Sequence, residues 1–308
     1  MKIKIKRRTL TRIIPALAAA AALFTIIIRG VLPPTHVTVH VFNVGQGDAI
    51  LIQDGFTEML VDGGPDDTIL AKLGETLPFF DHTIETVVLT HPHADHFVGL
   101  IGVLKRYNVR TIITDGRVSK GDPEYRRFEE AAKASGAAML VTKDGDRVML
   151  GHRASLAVLW PPRDPAQAEG LSARDENTWS IVMRLEAARA AGYLMGEAPI
   201  EVERRLVAAN RITPADFLKV GHHGSRYSTS NELLGAVHPK YAAIPVGKNS
   251  YGHPTWTALR RLETHDSLIW RTDRDGDVIA TFKDGAVMMQ PKKEVRHLPA
   301  EVQEISDR

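Results

Sequence analysis

Apolar residues form one long run near the N-terminus and only short runs or alternations from Pro33 onward. The long run extends from Ile13 to Ile28 and follows six lysines and arginines within the first twelve residues. A helix over these sixteen residues is about 24 Å long, and continuing it to Leu32 gives about 30 Å, the thickness of a bilayer's hydrocarbon core. We therefore expect residues 1–32 to form a basic N-terminus and a single transmembrane helix.

The basic residues also predict the orientation of this segment. Positively charged flanks stay in the cytoplasm, so the body of the chain is expected outside the cytoplasmic membrane. The alternative is a cleaved signal peptide, which would give a secreted protein, because small residues at Ala18–Ala22 allow a cleavage site. We favour the anchor, because the apolar run continues beyond these alanines.

The body of the chain has the pattern of a mixed α+β domain, expected to comprise residues 33–291 and to be followed by a charged tail, 292–308. Alternating apolar residues between Gly-containing turns predict a series of strands, and 3.6-residue periodicity predicts helices between them. Strands are predicted at 37–44, 48–53, 58–61, 86–90, 111–114, 138–142, 156–160, 181–185, 217–220, 241–246 and 277–282. Helices are predicted at 68–79, 99–107, 123–134, 200–210 and 255–264.

Composition and charge narrow the possible chemistry. The 308 residues include no cysteine, so disulfides, thiolate metal sites and cysteine nucleophiles are excluded, and a metal must be held by His, Asp, Glu or Asn. The net charge is +2, but without the seven bases of residues 1–32 the chain has 32 bases against 37 acids. A mildly acidic body argues against broad electrostatic coating of nucleic acid.

The segment from His91 to His96 carries the clearest chemistry. His91, His93, Asp95 and His96 follow an apolar strand and precede a helix. Imidazole and carboxylate groups suit Zn²⁺, Mn²⁺ and Fe²⁺. Four donors in one turn exceed what a single open catalytic ion needs from one segment, which favours a pair of ions. Histidines exposed in a surface turn are the alternative, but that does not explain their regular spacing.

This HxHxDH spacing resembles the signature of the metallo-β-lactamase fold, and four further segments narrow the resemblance. They are VFNVGQGD at 41–48, VDGG at 61–64, LKVGHHGS at 218–225 and NSYGHP at 249–254. Together they resemble the metallo-β-lactamase-like domain of the ComEC family of DNA-uptake competence proteins, over residues 35–282. The resemblance does not include that family's multi-pass membrane channel.

The resemblance implies an αββα sandwich of two mixed sheets with a site for two divalent ions, Zn or Mn, at one edge. It places His91 and His93 on the first ion and Asp95 and His96 on the second, with Glu197 as a bridge. Of the doublet, we favour His222 as the ligand that completes the second site. Asp62 and His223 are expected to orient the ligands.

Two positions depart from the family pattern. Relatives usually have a bridging Asp after a Gly at the end of a strand, whereas Gly196 is followed here by Glu197. Many two-zinc relatives also have a third His on the first ion, and this chain has Asn177–Ser180 in that region. The first ion is then expected to be more weakly held or more hydrated, or to be Mn²⁺.

The resemblance further implies a membrane-anchored binuclear metallohydrolase that cuts phosphodiesters, with DNA as the substrate and an uptake or secretion machinery as a possible partner. Asp95 and Glu197 would orient the attacking oxygen, and His253 would protonate the leaving oxygen or contact phosphate. Hydrolysis of lactones, thioesters or β-lactams is one alternative, and a catalytically decayed docking domain is another. Candidate phosphate-binding residues are Lys219, Ser225, Arg226 and Lys248.

Overall fold

Two stacked β-sheets form the centre of the computed structural model, which describes residues 35–292. Within this range the first sheet has eight strands in the order β15-β14-β1-β2-β3-β4-β5-β6, and the second has seven in the order β13-β12-β11-β10-β9-β8-β7. Each sheet combines antiparallel and parallel pairs: β3 to β6 are parallel neighbours in the first, and β10 to β13 in the second.

The strands of the first sheet are β1 (Val37–Val41), β2 (Ile50–Asp54), β3 (Thr57–Val61), β4 (Thr83–Leu89), β5 (Asn108–Thr114), β6 (Ala138–Val141), β14 (Val278–Lys283) and β15 (Ala286–Pro291). Those of the second are β7 (Arg147–Leu150), β8 (Ala154–Trp160), β9 (Val182–Ala187), β10 (Ala190–Leu194), β11 (Phe217–Lys219), β12 (Tyr241–Ile244) and β13 (Leu268–Arg271).

Helices cover the outer faces of both sheets. The α-helices of the described residues are α1 (Thr68–Thr76), α2 (Ala94–Arg106), α3 (Pro123–Ser135), α4 (Ile200–Ala208), α5 (Asn231–Val237), α6 (Trp256–Thr264) and α7 (Thr272–Asp275). Short 3₁₀ turns occur at Pro165–Ala168, Glu176–Trp179 and Gly221–Gly224.

Successive side chains of the strands serve different cores, which produces the layered arrangement. Ile50 and Ile52 of β2 lie in the core between the sheets with Leu156 of β8. Leu51, between them, points to the opposite face and packs in the core that includes Phe97 of α2. This alternation follows from the two-residue period of a strand, and it allows one sheet to bury both of its faces.

A third core joins the second sheet to its helices, with Tyr193 of β10, Leu218 of β11 and Leu262 of α6 among its members. The layers are therefore helix, sheet, sheet and helix, which confirms the predicted αββα sandwich. Within the described residues, no helix is both long enough and apolar enough to cross a membrane. The predicted anchor at 1–32 and all but the first residue of the predicted tail lie outside the described residues.

The boundary of one helix changes the picture of the site. The sequence predicts a helix from Gly99, whereas α2 begins at Ala94. Asp95 and His96 therefore lie in its first turn rather than in a loop. The periodic apolar residues begin only after these polar ligand candidates, which explains why the pattern placed the start too late. The prediction also omitted the edge strands β7, β13 and β15 and the inner strand β10.

Candidate metal centre

Four strands end at the same edge of the sandwich and deliver the site residues. In the first sheet, β3 and β4 are parallel and lead into Asp62 and the segment from His91. In the second, β10 and β11 are parallel and lead into Glu197 and His223. Because the carboxyl ends of parallel strands meet at one edge, these distant segments converge.

The first group of candidate metal ligands comprises His91, His93 and Glu197, whose ligand atoms lie within 4.8 Å of one another. Nε2 of His91 lies 3.0 Å from Nδ1 of His93 and 3.6 Å from Oε2 of Glu197. On the other side of the His91 ring, Nδ1 lies 3.0 Å from Oγ1 of Thr90. A proton on this Nδ1 leaves Nε2 free to bind a cation.

The second group comprises Asp95, His96, Glu197 and His223, also within 4.8 Å. Nε2 of His96 lies 3.2 Å from Oε1 of Glu197. Nε2 of His223 lies 2.8 Å from the same oxygen and 3.4 Å from Oδ2 of Asp95. His96, Glu197 and His223 are almost completely buried, whereas Asp95 is partly exposed. The second group therefore has two imidazoles and two carboxylates at one point.

Asp62 holds the second group in position from behind. Its Oδ2 accepts hydrogen bonds from Nδ1–H of His96 and from the hydroxyl of Thr90, both at 2.8 Å, while Oδ1 accepts from the Thr90 amide at 2.8 Å. A carboxylate that binds Nδ1–H directs Nε2 of the same ring toward a metal and increases its basicity. The geometry thus gives Asp62 the orienting position that the sequence analysis expected.

The two histidines of the doublet face different groups. His222 and His223 both have left-handed backbone angles, with φ of 47° and 51°, which is rare for residues with a side chain and marks local strain. Their rings consequently diverge, with an interplanar angle of 78°. His223, whose Nδ1–H donates to the Pro245 carbonyl at 2.8 Å, joins Asp95 in the second group. The geometry therefore favours His223 for the place that we assigned to His222.

His222 lies instead beside the first group. Its Nε2 is 3.4 Å from Oε2 of Glu197, the oxygen that also faces His91. His222, rather than a residue of the Asn177 region, is therefore the candidate for the third histidine that seemed missing from the first ion. Asn177 contacts the same ring from the other side, with its Nδ2 3.5 Å from Nδ1 of His222.

Glu197 lies between the two groups, with Oε1 facing the second and Oε2 facing the first. Its amide donates to the hydroxyl of Ser180 at 2.9 Å, which fixes the backbone beneath the carboxylate. Gly196 before it has φ of 51°, and a Cβ there would lie 2.1 Å from Oγ of Ser180. Because Gly196 has no Cβ, the backbone can pass close to Ser180 at this point. From there the long side chain of Glu197 reaches both groups.

Charge coupling determines where protons lie. Burial raises the pKa of Glu197, but hydrogen bonds with His223, His91 and His96 outweigh it and hold that pKa well below its usual range. Burial lowers the pKa of His91 to about 4. Burial also opposes protonation of His223, yet Asp95 and Glu197 raise its pKa to about 10. The Glu197 carboxylate is therefore ionised, and together with Asp95 it stabilises a positive charge on His223.

These residues fit a pair of divalent cations. Oδ1 of Asp48 is buried and lacks a hydrogen-bond partner among residues 35–292, and Nε2 of His223 is buried with two carboxylate oxygens within 3.4 Å. In the first group, two imidazole nitrogens face each other at 3.0 Å, an arrangement that needs a proton or a cation between them. Four or more imidazoles with shared carboxylates are ligands that suit zinc, manganese and iron. Both metals that we expected, Zn and Mn, are therefore compatible with this set of ligands.

Lys219 does not have the position that its prediction as a phosphate-binding residue requires. Its side chain is 0% exposed because β11 lies inside the second sheet. The ammonium forms an ion pair with Asp48 and donates to the Gly196 carbonyl at 2.8 Å. Lys219 thus supports the backbone before Glu197 and cannot contact a substrate.

The other predicted phosphate ligands divide in the same way. Ser225 is 2% exposed, and its hydroxyl accepts from the Tyr227 amide at 3.3 Å, so it too is structural. Arg226 and Lys248 are exposed. The ring of His253 lies 5.4 Å from that of His222, with a pKa lowered to about 4 by burial and neighbouring imidazoles. Only these last three can face a bound molecule.

Sequence reasoning missed three residues that shape the site. Glu176 has Oε2 3.1 Å from Nε2 of His93, which leaves Nδ1 of that ring facing His91. Asp48 has Oδ1 3.4 Å from Nδ1 of His223, and Ser180 carries the Glu197 amide. Asp48 lies in the first segment quoted for the resemblance and Ser180 in the region that departs from it, but both contact residues that are distant in the sequence and so leave no local signal.

The family model of the metallo-β-lactamase superfamily matches residues 42–168. The fold and the site are therefore those of a metallo-β-lactamase-like domain whose side chains can hold metal ions. Two curated proteins are similar to most of this chain. ComE operon protein 3 of Bacillus subtilis is 30% identical over 80% of this chain and 33% of its own length. Competence protein ComA of Neisseria gonorrhoeae is 28% identical over 84% of this chain and 34% of its own length.

These findings confirm the resemblance to the ComEC family. The chain spans about a third of the length of the curated relatives it matches. Among solved structures, the metallo-β-lactamase fold protein YhfI from Bacillus subtilis aligns with a TM-score of 0.53 and 11% identity, covering 82% of this chain and 99% of that one. The diiron β-hydroxylase CmlA from Streptomyces venezuelae aligns with a TM-score of 0.53 and 14% identity, covering 81% of this chain and 54% of that one. Both likenesses concern the fold alone.

Proposed function

We propose that the protein is a binuclear metal-dependent phosphodiesterase that cuts DNA outside the cytoplasmic membrane, in the context of DNA uptake. The observation that carries this proposal is the position of Glu197 between two adjacent groups of imidazoles and carboxylates. A site with two cations suits phosphodiesters, because attacking and leaving oxygens both need stabilisation. The similarity to competence proteins supports DNA as the substrate.

Two ions held here supply Lewis-acid charge and lower the pKa of a nearby water toward neutrality. The protein's own residues arrange the rest. Asp95, whose side chain is 33% exposed, is the carboxylate of the site that opens toward solvent and can accept a hydrogen bond from an attacking water. The ring of His253 lies beside that of His222 and can contact a phosphate oxygen, and Arg226 and Lys248 are exposed cations of the kind that bind phosphate.

The N-terminal sequence supports placing this activity at a membrane. The basic residues and the apolar run at Ile13–Ile28 have the order of a single-pass anchor with the domain on the extracytoplasmic side. We expect the full chain to remain with membranes after a high-salt wash. A soluble product with a new N-terminus near Ala22 would instead support a cleaved signal and a secreted enzyme.

The activity is tested with the purified chain, freed of metal and then supplied with Zn²⁺, Mn²⁺ or Mg²⁺. Single-stranded DNA, a lactone and a β-lactam are offered in parallel. We expect cleavage of DNA with Mn²⁺ or Zn²⁺ and its loss in Asp95→Ala, with Phe79→Ala as a matched control at the opposite end of β4. Equal inertness of wild type and Asp95→Ala toward DNA with every ion would contradict the proposal, and turnover of the lactam alone would redirect it.

A further inference from the structure

A line of rings extends from the metal centre to the surface. The ring of His222 lies beside Glu197, with Nε2 3.4 Å from Oε2, and the ring of His253 lies 5.4 Å from that of His222. The ring of Tyr251 lies 5.9 Å from that of His253, with an interplanar angle of 31°. Tyr251 is 74% exposed, so the line ends in an aromatic face that is open to solvent.

The loop that presents Tyr251 is held firmly by one side chain. The amide group of Asn249 donates to the Gly247 and His253 carbonyls at 2.9 and 2.8 Å. Its oxygen accepts from the Tyr251 and His253 amides at 3.1 and 3.0 Å. An exposed aromatic ring on a fixed backbone loses little entropy on binding a partner, whereas a ring on a loose loop would lose more.

Two more exposed aromatic side chains lie on the adjoining segments. Trp256, which begins α6, is 74% exposed, and Tyr227, four residues after His223, is 65% exposed. The two segments are joined, since the Thr255 amide donates to the Gly224 carbonyl at 2.9 Å. Solvent-exposed tyrosine and tryptophan in one region are unusual on a surface that contacts only water.

Arginines accompany these rings. The guanidinium of Arg226 lies 5.2 Å from the centre of the Tyr227 ring, and that of Arg260 lies 5.7 Å from the Trp256 ring. Lys248, three residues before Tyr251, is also exposed. We name the exposed side chains of this region the aromatic rim: Arg226, Tyr227, Lys248, Tyr251, Trp256 and Arg260. Arg260 also pairs with the exposed Glu263 at 3.0 Å, so Arg226 and Lys248 are the cations of the rim that lie nearest to Tyr227 and Tyr251 in the sequence.

We infer that the aromatic rim is a stacking platform for the bases of a single-stranded polynucleotide, with Tyr251 as its innermost ring. Aromatic side chains interleaved with cations bind single strands by stacking on bases and pairing with phosphates. A duplex keeps its bases stacked inside and offers no face to Tyr251. This inference rests on the proposed function, because it makes single-stranded DNA the form of the substrate that reaches the metal centre.

The platform is tested by binding rather than by cleavage. Fluorescence anisotropy with the full-length chain in neutral detergent, in the presence of EDTA, compares a labelled oligothymidine with an abasic oligomer of the same length and charge. We expect the wild type to bind the oligomer with bases at least about fivefold more tightly, the lower end of what one stacked base contributes. Equal affinity for the two oligomers would overturn the inference.

Three variants assign the effect to the rim. Tyr251→Ala should lose most of the preference for bases, Tyr251→Phe should retain it, and Phe79→Ala, which removes a ring that is 90% exposed at the far end of β4, should leave it unchanged. An unchanged preference in Tyr251→Ala combined with Trp256→Ala, or tighter binding of duplex than of single strands, would overturn the platform.

The outcome is separable from the proposed activity. If DNA is not cut with any ion but base-dependent binding persists and depends on Tyr251, the phosphodiesterase proposal fails and the platform stands. If DNA is cut while wild type and Tyr251→Ala bind both oligomers alike, the platform fails and the activity stands.

Discussion

Nε2 of His223 lies 2.8 Å from Oε1 of Glu197, while the preceding histidine, His222, approaches the other oxygen of the same carboxylate. Consecutive residues thus contribute to opposite halves of one metal centre. Both histidines have left-handed backbone angles, and their rings lie at 78° to each other.

The doublet gives the first prediction. His223→Ala should abolish metal binding by the second group and leave the first group partly occupied. His222→Ala should lower the metal affinity of the first group only. Metal content after dialysis against a weak chelator, measured for each variant and for wild type, separates the two. The same loss from both variants would contradict the division of labour between them.

The buried pair of Lys219 and Asp48 gives the second prediction. Lys219→Met should lower the free energy of unfolding by about 3–5 kcal/mol, because it removes the ammonium that pairs with the buried Asp48 carboxylate. The double variant Lys219→Met with Asp48→Asn should recover part of that loss. Urea unfolding of the three proteins checks this, and a loss below about 1 kcal/mol in Lys219→Met, the size of an exposed pair, would show that the pair is not structural.

Gly196 gives the third prediction. Gly196→Ala places a Cβ 2.1 Å from Oγ of Ser180 at a left-handed φ, so it should displace the backbone that carries Glu197 and lower metal affinity more than tenfold, the scale set by about 1.4 kcal/mol. Gly74→Ala in α1 is the matched control, since its Cβ would meet nothing within 4 Å. Calorimetric titration with Mn²⁺ or Zn²⁺ measures both. Unchanged affinity in Gly196→Ala would count against the bridging role of Glu197.

A carboxyl group far from the metal centre gives the pH prediction. Burial, followed by the charge of Asp81, raises the pKa of Glu58 to about 8, and Gln53 donates to its Oε1 at 3.3 Å. Because the folded protein holds this proton more tightly than the unfolded chain, the stability it contributes is complete below about pH 4.5, the ordinary value, and is lost as pH rises toward 8.

Glu58→Gln removes that titration. We expect the stability of wild type relative to Glu58→Gln to fall steadily between pH 5 and pH 8, by about 1.4 kcal/mol for each pH unit. Denaturant unfolding at several pH values within this range measures the difference. A constant difference between the two proteins would show that Glu58 has an ordinary pKa.

The sequence was sufficient for the fold and for most residues of the site, but not for the pairing among them. The apolar alternation predicted a mixed α+β domain, the family resemblance implied the sandwich, and the spacing from His91 to His96 predicted the metal ligands on one segment. The choice between His222 and His223 depends on two backbone angles that no local pattern records. Lys219 was misassigned because a lysine in a short strand is usually exposed, whereas here Asp48, 171 positions earlier in the chain, compensates its charge.

The central claim is that one carboxylate, Glu197, is shared by two cations. Anomalous diffraction from crystals loaded with Mn²⁺ or Zn²⁺ tests it most directly. The account predicts two peaks, one against His91 and His93 and the other against Asp95, His96 and His223, with the Glu197 carboxylate between them. A single peak, or peaks that leave Glu197 outside the coordination of either ion, would contradict it.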